Sequence, residues 1–413
     1  MGRIRTFLYW IIFLFGIVYG LEAQPLGMKL TNYKKSAQLP FELHNNLIVV
    51  SVRLNNTLPV KLILDTGAQY TIITKRELTD LLDAMYGKKV TLYGSDRSVE
   101  LHAQLAHNIG LNLPNLVMKR QTLLVLDQDY LNLEYLLGTP IHGILGTDIF
   151  KRFVVKIDYF KKVITLYERE VFNDPGTDYS RHNIAIHHGK PYLTGNVKFN
   201  VESSFSPILL IDSGASLSLV LHPNTDEQVN VPDDFIKGNI GFGLGGELEG
   251  FLGRVFEFDL EPYDFKNLVT NFQDLPIIED SLSVIYRRNG FFGGELLSRF
   301  TCIFDFHKNL LYLKPNKKFS KSFAQDKSGL DIYASGIDLN NFIVRQVIGN
   351  TPAYRAGILP GDEILKINAK FHSNMDLQDV TRVLQGKTGK QIRMVVRRNG
   401  VKRKVIFRLR EFY

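Results

Sequence analysis

The chain has 413 residues, 45% hydrophobic and 22% charged, with a formal net charge of +8 and a single cysteine. The length exceeds one ordinary core and predicts two or three domains. The apolar fraction excludes a mainly disordered chain, and the lone Cys302 excludes a disulfide-stapled fold or a cysteine-rich zinc module. The positive charge leaves nucleic acid, an anionic membrane or acidic peptides as partners until its position is known.

At the N-terminus, Arg3 and Arg5 precede an apolar run from Phe7 to Leu21, followed by Ala23 and polar Gln24. A basic segment, an apolar stretch and a small residue read as a secretory signal peptide over residues 1–23. The run is shorter than the roughly 20 residues of a spanning helix; an uncleaved anchor is the alternative. An exported protein without disulfides suits a bacterial periplasm or cell envelope, or secretion.

The chain then shows a diverged duplication, the first thing to seek because it decides the fold. A β-rich run over residues 60–64 ends in Asp65-Thr66-Gly67-Ala68, and a second over residues 208–211 ends in Asp212-Ser213-Gly214-Ala215. Downstream, Gly143-Ile144-Leu145-Gly146 leads to Phe153, and Gly290-Phe291-Phe292-Gly293 leads to Phe300. Both blocks repeat at an offset of 147 residues. Two separated blocks sharing one offset imply two homologous lobes, over residues 24–172 and 183–315, with a turn-rich connector between them. Short runs of β-branched and aromatic residues make both lobes mainly β. Residues 74–85 are expected to form one helix, with Thr74 as N-cap and Leu78, Leu81 and Leu82 on one face.

An Asp ending a buried apolar strand is costly unless it is partnered. A following glycine lets the chain turn and brings backbone N–H groups to the carboxylate, and Thr66 or Ser213 can brace the turn. If the two turns meet at a pseudo-two-fold axis, Asp65 and Asp212 share one proton. The pair then acts as base toward a water and as acid toward a carbonyl oxygen or leaving amine.

These motifs resemble the two catalytic motifs of the pepsin and retroviral aspartic proteases, over roughly residues 45–315. The resemblance implies a bilobal pepsin-like double β-barrel with a central cleft, and an aspartic endopeptidase with Asp65 and Asp212 catalytic. Thr66, Gly67, Ser213 and Gly214 would support the turns, and neither metal nor cofactor is needed. It also implies flaps over the cleft, with Tyr93 and Gly94 as candidates in lobe 1, and Gly243 and Gly245 in lobe 2. The lobe 2 glycines also fit G-x-G-x-x-G, but a dinucleotide site needs a following helix, and residues 247–260 alternate as a strand. Ala68 and Ala215 stand where pepsin-like enzymes usually carry Ser or Thr. Without those hydroxyls the dyad should be less acidic and work nearer neutral pH. A further possibility is a covering propeptide over residues 26–39, with Lys29, Lys34 and Lys35 paired to the dyad.

Residues 316–328 are polar and basic and read as a linker, and residues 329–413 as a separate module. The stretch from Thr351-Pro352-Ala353 through Ala356-Gly357, Gly361-Asp362 and Ile367-Asn368 resembles the PDZ domain, a small β-rich α/β fold. That resemblance implies a peptide-binding loop at Gly329, Leu330, Asp331 and Ile332, flanked by a helix over residues 377–384 beginning at Leu377. Asp331, in place of the loop's second glycine, weakens the case for a C-terminal carboxylate ligand; an internal segment or docking on the protease lobes are alternatives. The expected partners are protein or peptide substrates and a peptide ligand for the PDZ module. An exported, non-catalytic peptide-binding protein is the competing reading.

Residues 329–413 hold 15 Lys and Arg against 7 Asp and Glu, so the whole +8 lies there and residues 1–328 are neutral. The charge belongs to one module, densest from Arg393 to Arg410. This argues against nucleic acid, which would need basic charge beside an aromatic face, and favours acidic peptides or contact with an anionic envelope surface.

Overall fold

The structure is a computed structural model and describes residues 27–31, 34–93, 100–243, 246–275, 288–323 and 325–411. It is mainly β with several sheets. The expected signal peptide lies outside the described residues. Among those described, no helix is long and apolar enough to cross a membrane.

Two sheets repeat one plan. In lobe 1, Gly143–Leu145 runs parallel to Leu58–Leu64 and antiparallel to Ile72–Ile73, and Ile72–Ile73 runs parallel to Leu116–Leu126. In lobe 2, Gly290–Gly293 runs parallel to Ile208–Asp212 and antiparallel to Leu219–Leu221, and Leu219–Leu221 runs parallel to Tyr263–Phe272. The duplicated glycines explain how these short strands fit so tightly. A Cβ at Gly143 would lie 2.0 Å from Ile72 O, and one at Gly290 would lie 1.8 Å from Val220 O. At Gly146 and Gly293 it would lie 2.6 Å and 2.2 Å from the backbone of Tyr70 and Leu217. Only glycine permits such approach.

A third sheet joins the lobes. It runs Ser180–Asn183, Leu310–Pro315, Phe300–Asp305, Val154–Asp158, Val163–Tyr167, Ser36–Pro40. The junction is antiparallel pairing of Val155 with Phe304 and of Asp158 with Thr301. Phe150, Phe153, Phe300 and Phe304 are fully buried around it, so one apolar core runs through both lobes. Residues 316–323 are tied down rather than loose. Arg299 Nη1 donates to Lys318 O at 2.8 Å and also to Lys321 O, its guanidinium lies over the Phe323 ring, and Phe319 packs on Phe300 and Tyr263.

The C-terminal module has its own core, including Phe342, Ile364, Val380, Leu384 and Ile392. Its sheet runs Leu330–Ser335, Asn341–Val347, Glu363–Ile367, Gln391–Arg398, Val401–Arg408, so Leu330–Ser335 is an edge strand. Helix Leu377–Leu384 is capped by the Asp376 carboxylate, which accepts from Asp379 N at 2.6 Å.

Two sequence expectations are corrected. Residues 74–85 do not form one helix; a single turn, Glu77–Asp80, stands between two strands. Thr74 is buried, its N–H bonded to His142 O, and Leu81 is exposed. Asp83, at φ 50°, ends the turn before the strand Met85–Tyr93. Nor do the described residues of the segment 26–39 cover the dyad. Met28–Leu30 pairs with Leu116–Leu126, Ser36–Pro40 pairs with Val163–Tyr167, and Lys29, Lys34 and Lys35 are exposed.

Candidate active site

The two Asp turns meet where the lobes touch. Asp65 ends the run Leu58–Leu64 and its N–H bonds Leu145 O at 3.0 Å; Asp212 ends Ile208–Asp212, paired with Gly293. Each turn is braced by a hydroxyl from the other lobe. Thr66 Oγ1 donates to Ile211 O at 2.7 Å and accepts from Ser213 N at 2.9 Å; Ser213 Oγ donates to Leu64 O at 2.8 Å and accepts from Thr66 N at 3.1 Å. Both hydroxyl residues are fully buried. Four uncharged hydrogen bonds in a buried interface leave little play between the turns, because breaking one strands a buried polar group.

The glycines face across the axis. A Cβ at Gly67 would lie 2.9 Å from Asp212 Cγ, and one at Gly214 would lie 2.3 Å from Asp65 Cγ. Gly67 N donates to Asp65 Oδ1 at 2.6 Å, and Gly214 N and Ala215 N donate to Asp212 Oδ1 at 2.8 and 3.1 Å. The two carboxyl groups hydrogen-bond each other. Burial first, and then the adjacent Asp212, holds the Asp65 carboxyl well above the ordinary carboxylate range. Such a pair keeps one proton between two acids at pH values where isolated carboxyls have lost theirs.

Sequence reasoning missed Lys190. It begins the strand Lys190–Thr194, in a hairpin whose Gly189 sits against Lys151 and Thr147 of lobe 1. Its charge reaches Asp65 and favours the ionised form. Nothing in the local sequence marks it, because the hairpin's reach across to lobe 1 is a tertiary fact.

Tyr93 and Gly243 stand on strands of two hairpins. Met85–Tyr93 pairs with Glu100–Leu113, Tyr93 opposite Glu100. Ile236–Gly243 pairs with Gly246–Leu260, Gly243 opposite Gly246. A strand rather than a helix follows these glycines, as expected in setting nucleotide binding aside. Gly94, Gly245 and the side chain of Tyr93 lie outside the described residues. Among the described residues, no cluster of three or more His, Cys, Asp or Glu is arranged to hold a metal.

In the C-terminal module, Gly329 adopts φ +81° against Thr351, and Leu330 and Leu377 are buried in the module's core. Ile332 is partly buried against that core. Asp331 is paired: Arg345 Nε donates to its Oδ2 at 2.8 Å from the adjacent strand. The negative charge that Asp331 brings to the loop is therefore balanced by Arg345. A second carboxylate stands closer to the loop amides. Asp326 accepts from Gly329 N at 2.6 Å and from Ser328 N and Oγ at 2.9 Å. Burial pushes its pKa up to about 6.

Comparison with known proteins finds a family match in lobe 1 and another in the C-terminal module. Residues 50–149 match the aspartyl protease family and residues 343–398 match the PDZ domain family. The chain is 30% identical over 94 residues to the carboxy-terminal processing protease CtpB of Bacillus subtilis (strain 168), covering 23% of this chain and 19% of that protein. It is 31% identical over 88 residues to a probable CtpA-like serine protease of Staphylococcus saprophyticus, covering 20% of this chain and 18% of that protein. The chain thus spans about a fifth of the length of these curated relatives.

Proposed function

We propose that the protein is an aspartic endopeptidase of pepsin-like, two-lobed type. Asp65 and Asp212 share one proton; the ionised partner takes a proton from the attacking water while the protonated one gives its proton to the carbonyl oxygen. The carboxyl that took the water proton then gives it to the leaving amine as the C–N bond breaks, and the gem-diol returns a proton to the other carboxylate as the carbonyl re-forms. Thr66 and Ser213 hold the turns, and Gly67 and Gly214 let the carboxylates approach. The chemistry asks for no metal or organic cofactor. Substrates are extended peptide segments between the lobes, and the PDZ module binds peptide. The N-terminal segment supports export to a bacterial envelope, and the basic C-terminal module supports contact with an anionic surface there.

The observation that carries this reading is the reciprocal bracing of Thr66 and Ser213 beside two hydrogen-bonded carboxyls. A serine mechanism, suggested by the name of one relative, fits this site poorly. Ser213 is fully buried and its hydroxyl is committed at both ends, leaving no exposed nucleophile there. Purified protein should cleave an unfolded protein substrate, and Asp212→Asn should lower that rate by at least 1,000-fold, on the order of the losses seen when a group acting as one of a pair is removed. Equal inertness of wild type and variant from about pH 3 to 8 would shift the reading to a non-catalytic peptide-binding protein. The raised Asp65 carboxyl, with Ala68 and Ala215 offering no hydroxyl, predicts an optimum nearer neutrality than pepsin's; an optimum below about pH 4 contradicts it.

A further inference from the structure

A PDZ module takes a peptide as an added strand between its edge strand and its flanking helix. Here that groove lies between Leu330–Ser335 and Leu377–Leu384, and the chain itself engages both of its ends. At the loop end, Gly329 N is held by Asp326 and Leu330 N by Ser328 Oγ at 3.1 Å. Two of the donors that would meet a peptide's terminal carboxylate already serve an internal carboxylate and its neighbour. At the far end, the lobe 1 helix Leu133–Leu137 packs against the edge strand. Gly138, which caps that helix at φ +62°, sits against both walls of the groove: a Cβ there would lie 2.6 Å from Leu377 Cβ and 3.6 Å from Ala334 Cβ. Beside this contact, Gln378 Nε2 donates to His44 Nδ1 of lobe 1.

We propose that the resident ligand of the PDZ groove is this chain's own lobe 1 turn, Leu133 to Gly138, and that an external strand binds only by displacing it. The ligand class that competes is an internal apolar segment, not a free C-terminus, because the loop amides are spent on Asp326 and Ser328. The occupant has a second face. Leu133, with Leu131 just before the turn, packs in the cluster that contains Ala68, next to Asp65-Thr66-Gly67. Displacing the turn therefore loosens a wall beside the carboxylate pair, so groove and cleft report on each other. The apparent affinity for any external peptide is lowered by the fraction of molecules whose groove is closed.

The inference rests on the PDZ assignment and not on the peptidase reading, and its test reads binding alone. The full chain, in an Asp212→Asn background so that no probe is cut, is titrated with a fluorescein-labelled synthetic peptide of residues 129–142 of this sequence. Gly138→Asn keeps a residue that tolerates left-handed backbone but puts a side chain where Leu377 stands. It should bind the peptide at least tenfold tighter than the parent, with faster amide exchange across residues 331–335. A double substitution, His44→Ala with Gln378→Ala, removes a peripheral contact without touching either core and should move binding the same way by at least threefold. The peptide with an amidated C-terminus should bind as well as the free acid. If neither variant binds better than the parent, the turn is not the groove's occupant. If the free acid is preferred tenfold or more, the ligand class is wrong.

Discussion

Each hydroxyl at the lobe interface serves both turns, so its loss should cost more than one hydrogen bond. Thr66→Val preserves shape but leaves Ser213 N and Ile211 O without their partner. At about 1–3 kcal/mol for each stranded group, a loss of roughly 2–6 kcal/mol is expected, read as a lower urea midpoint with an unchanged slope. Asp326 has the opposite character, a partly buried acid whose folded pKa, about 6, exceeds the ordinary 3.8. Between those values the folded chain holds a proton that the unfolded chain has released, so stability falls as pH rises through that window. Asp326→Asn keeps an acceptor and removes the titration. Relative to wild type it should gain on the order of 2–3 kcal/mol between pH 4 and pH 8, measured by denaturant unfolding at each pH. The paired Asp motifs and their bracing hydroxyls are visible in the sequence because the offset of 147 betrays them. Asp326 and Lys190 are not, because each matters through a neighbour far along the chain or through burial, which no local pattern records.

Strands that end at the carboxylates were legible, because residues 60–64 and 208–211 are runs of apolar and β-branched side chains, buried at their ends against a second short strand. The misread element is instructive. Leu78, Leu81 and Leu82 have helical spacing, yet Leu81 points to solvent and the helix is only one turn long. Periodicity over three leucines is too short a window to outweigh the pairing available to the strands on either side. The segment after residue 315 was read as a linker on composition alone, and composition does not show that Arg299 collects its carbonyls. Arg299→Ala should free this segment: trypsin should cut the full chain near Lys317, Lys318 or Lys321 at least tenfold faster while the lobes stay intact, as followed by mass spectrometry. Equal cutting in wild type would mean that Phe319 alone anchors it.

At the scale of the molecule, the charge is a face rather than a sum. On the outer surface of the hairpin formed by Gln391–Arg398 and Val401–Arg408, Arg393, Lys402 and Lys404 stand together and exposed. At about 1 kcal/mol per basic residue near an anionic bilayer, replacing these three by serine should weaken sedimentation with phosphatidylglycerol vesicles by on the order of 100-fold. Raising salt should erase the difference. The shared sheet has a consequence for timing. Its strands come from residues as early as Ser36–Pro40 and as late as Leu310–Pro315, and Thr66 cannot be braced before Ser213 exists beside it. Contacts so distant in sequence form late, after the loops between them have closed. A chain emerging from its N-terminus folds lobe 1 first and carries, until lobe 2 arrives, half a dyad and no shared proton. Synthesis can therefore run through most of both lobes before the two carboxylates come together, a delay written into the order of the strands.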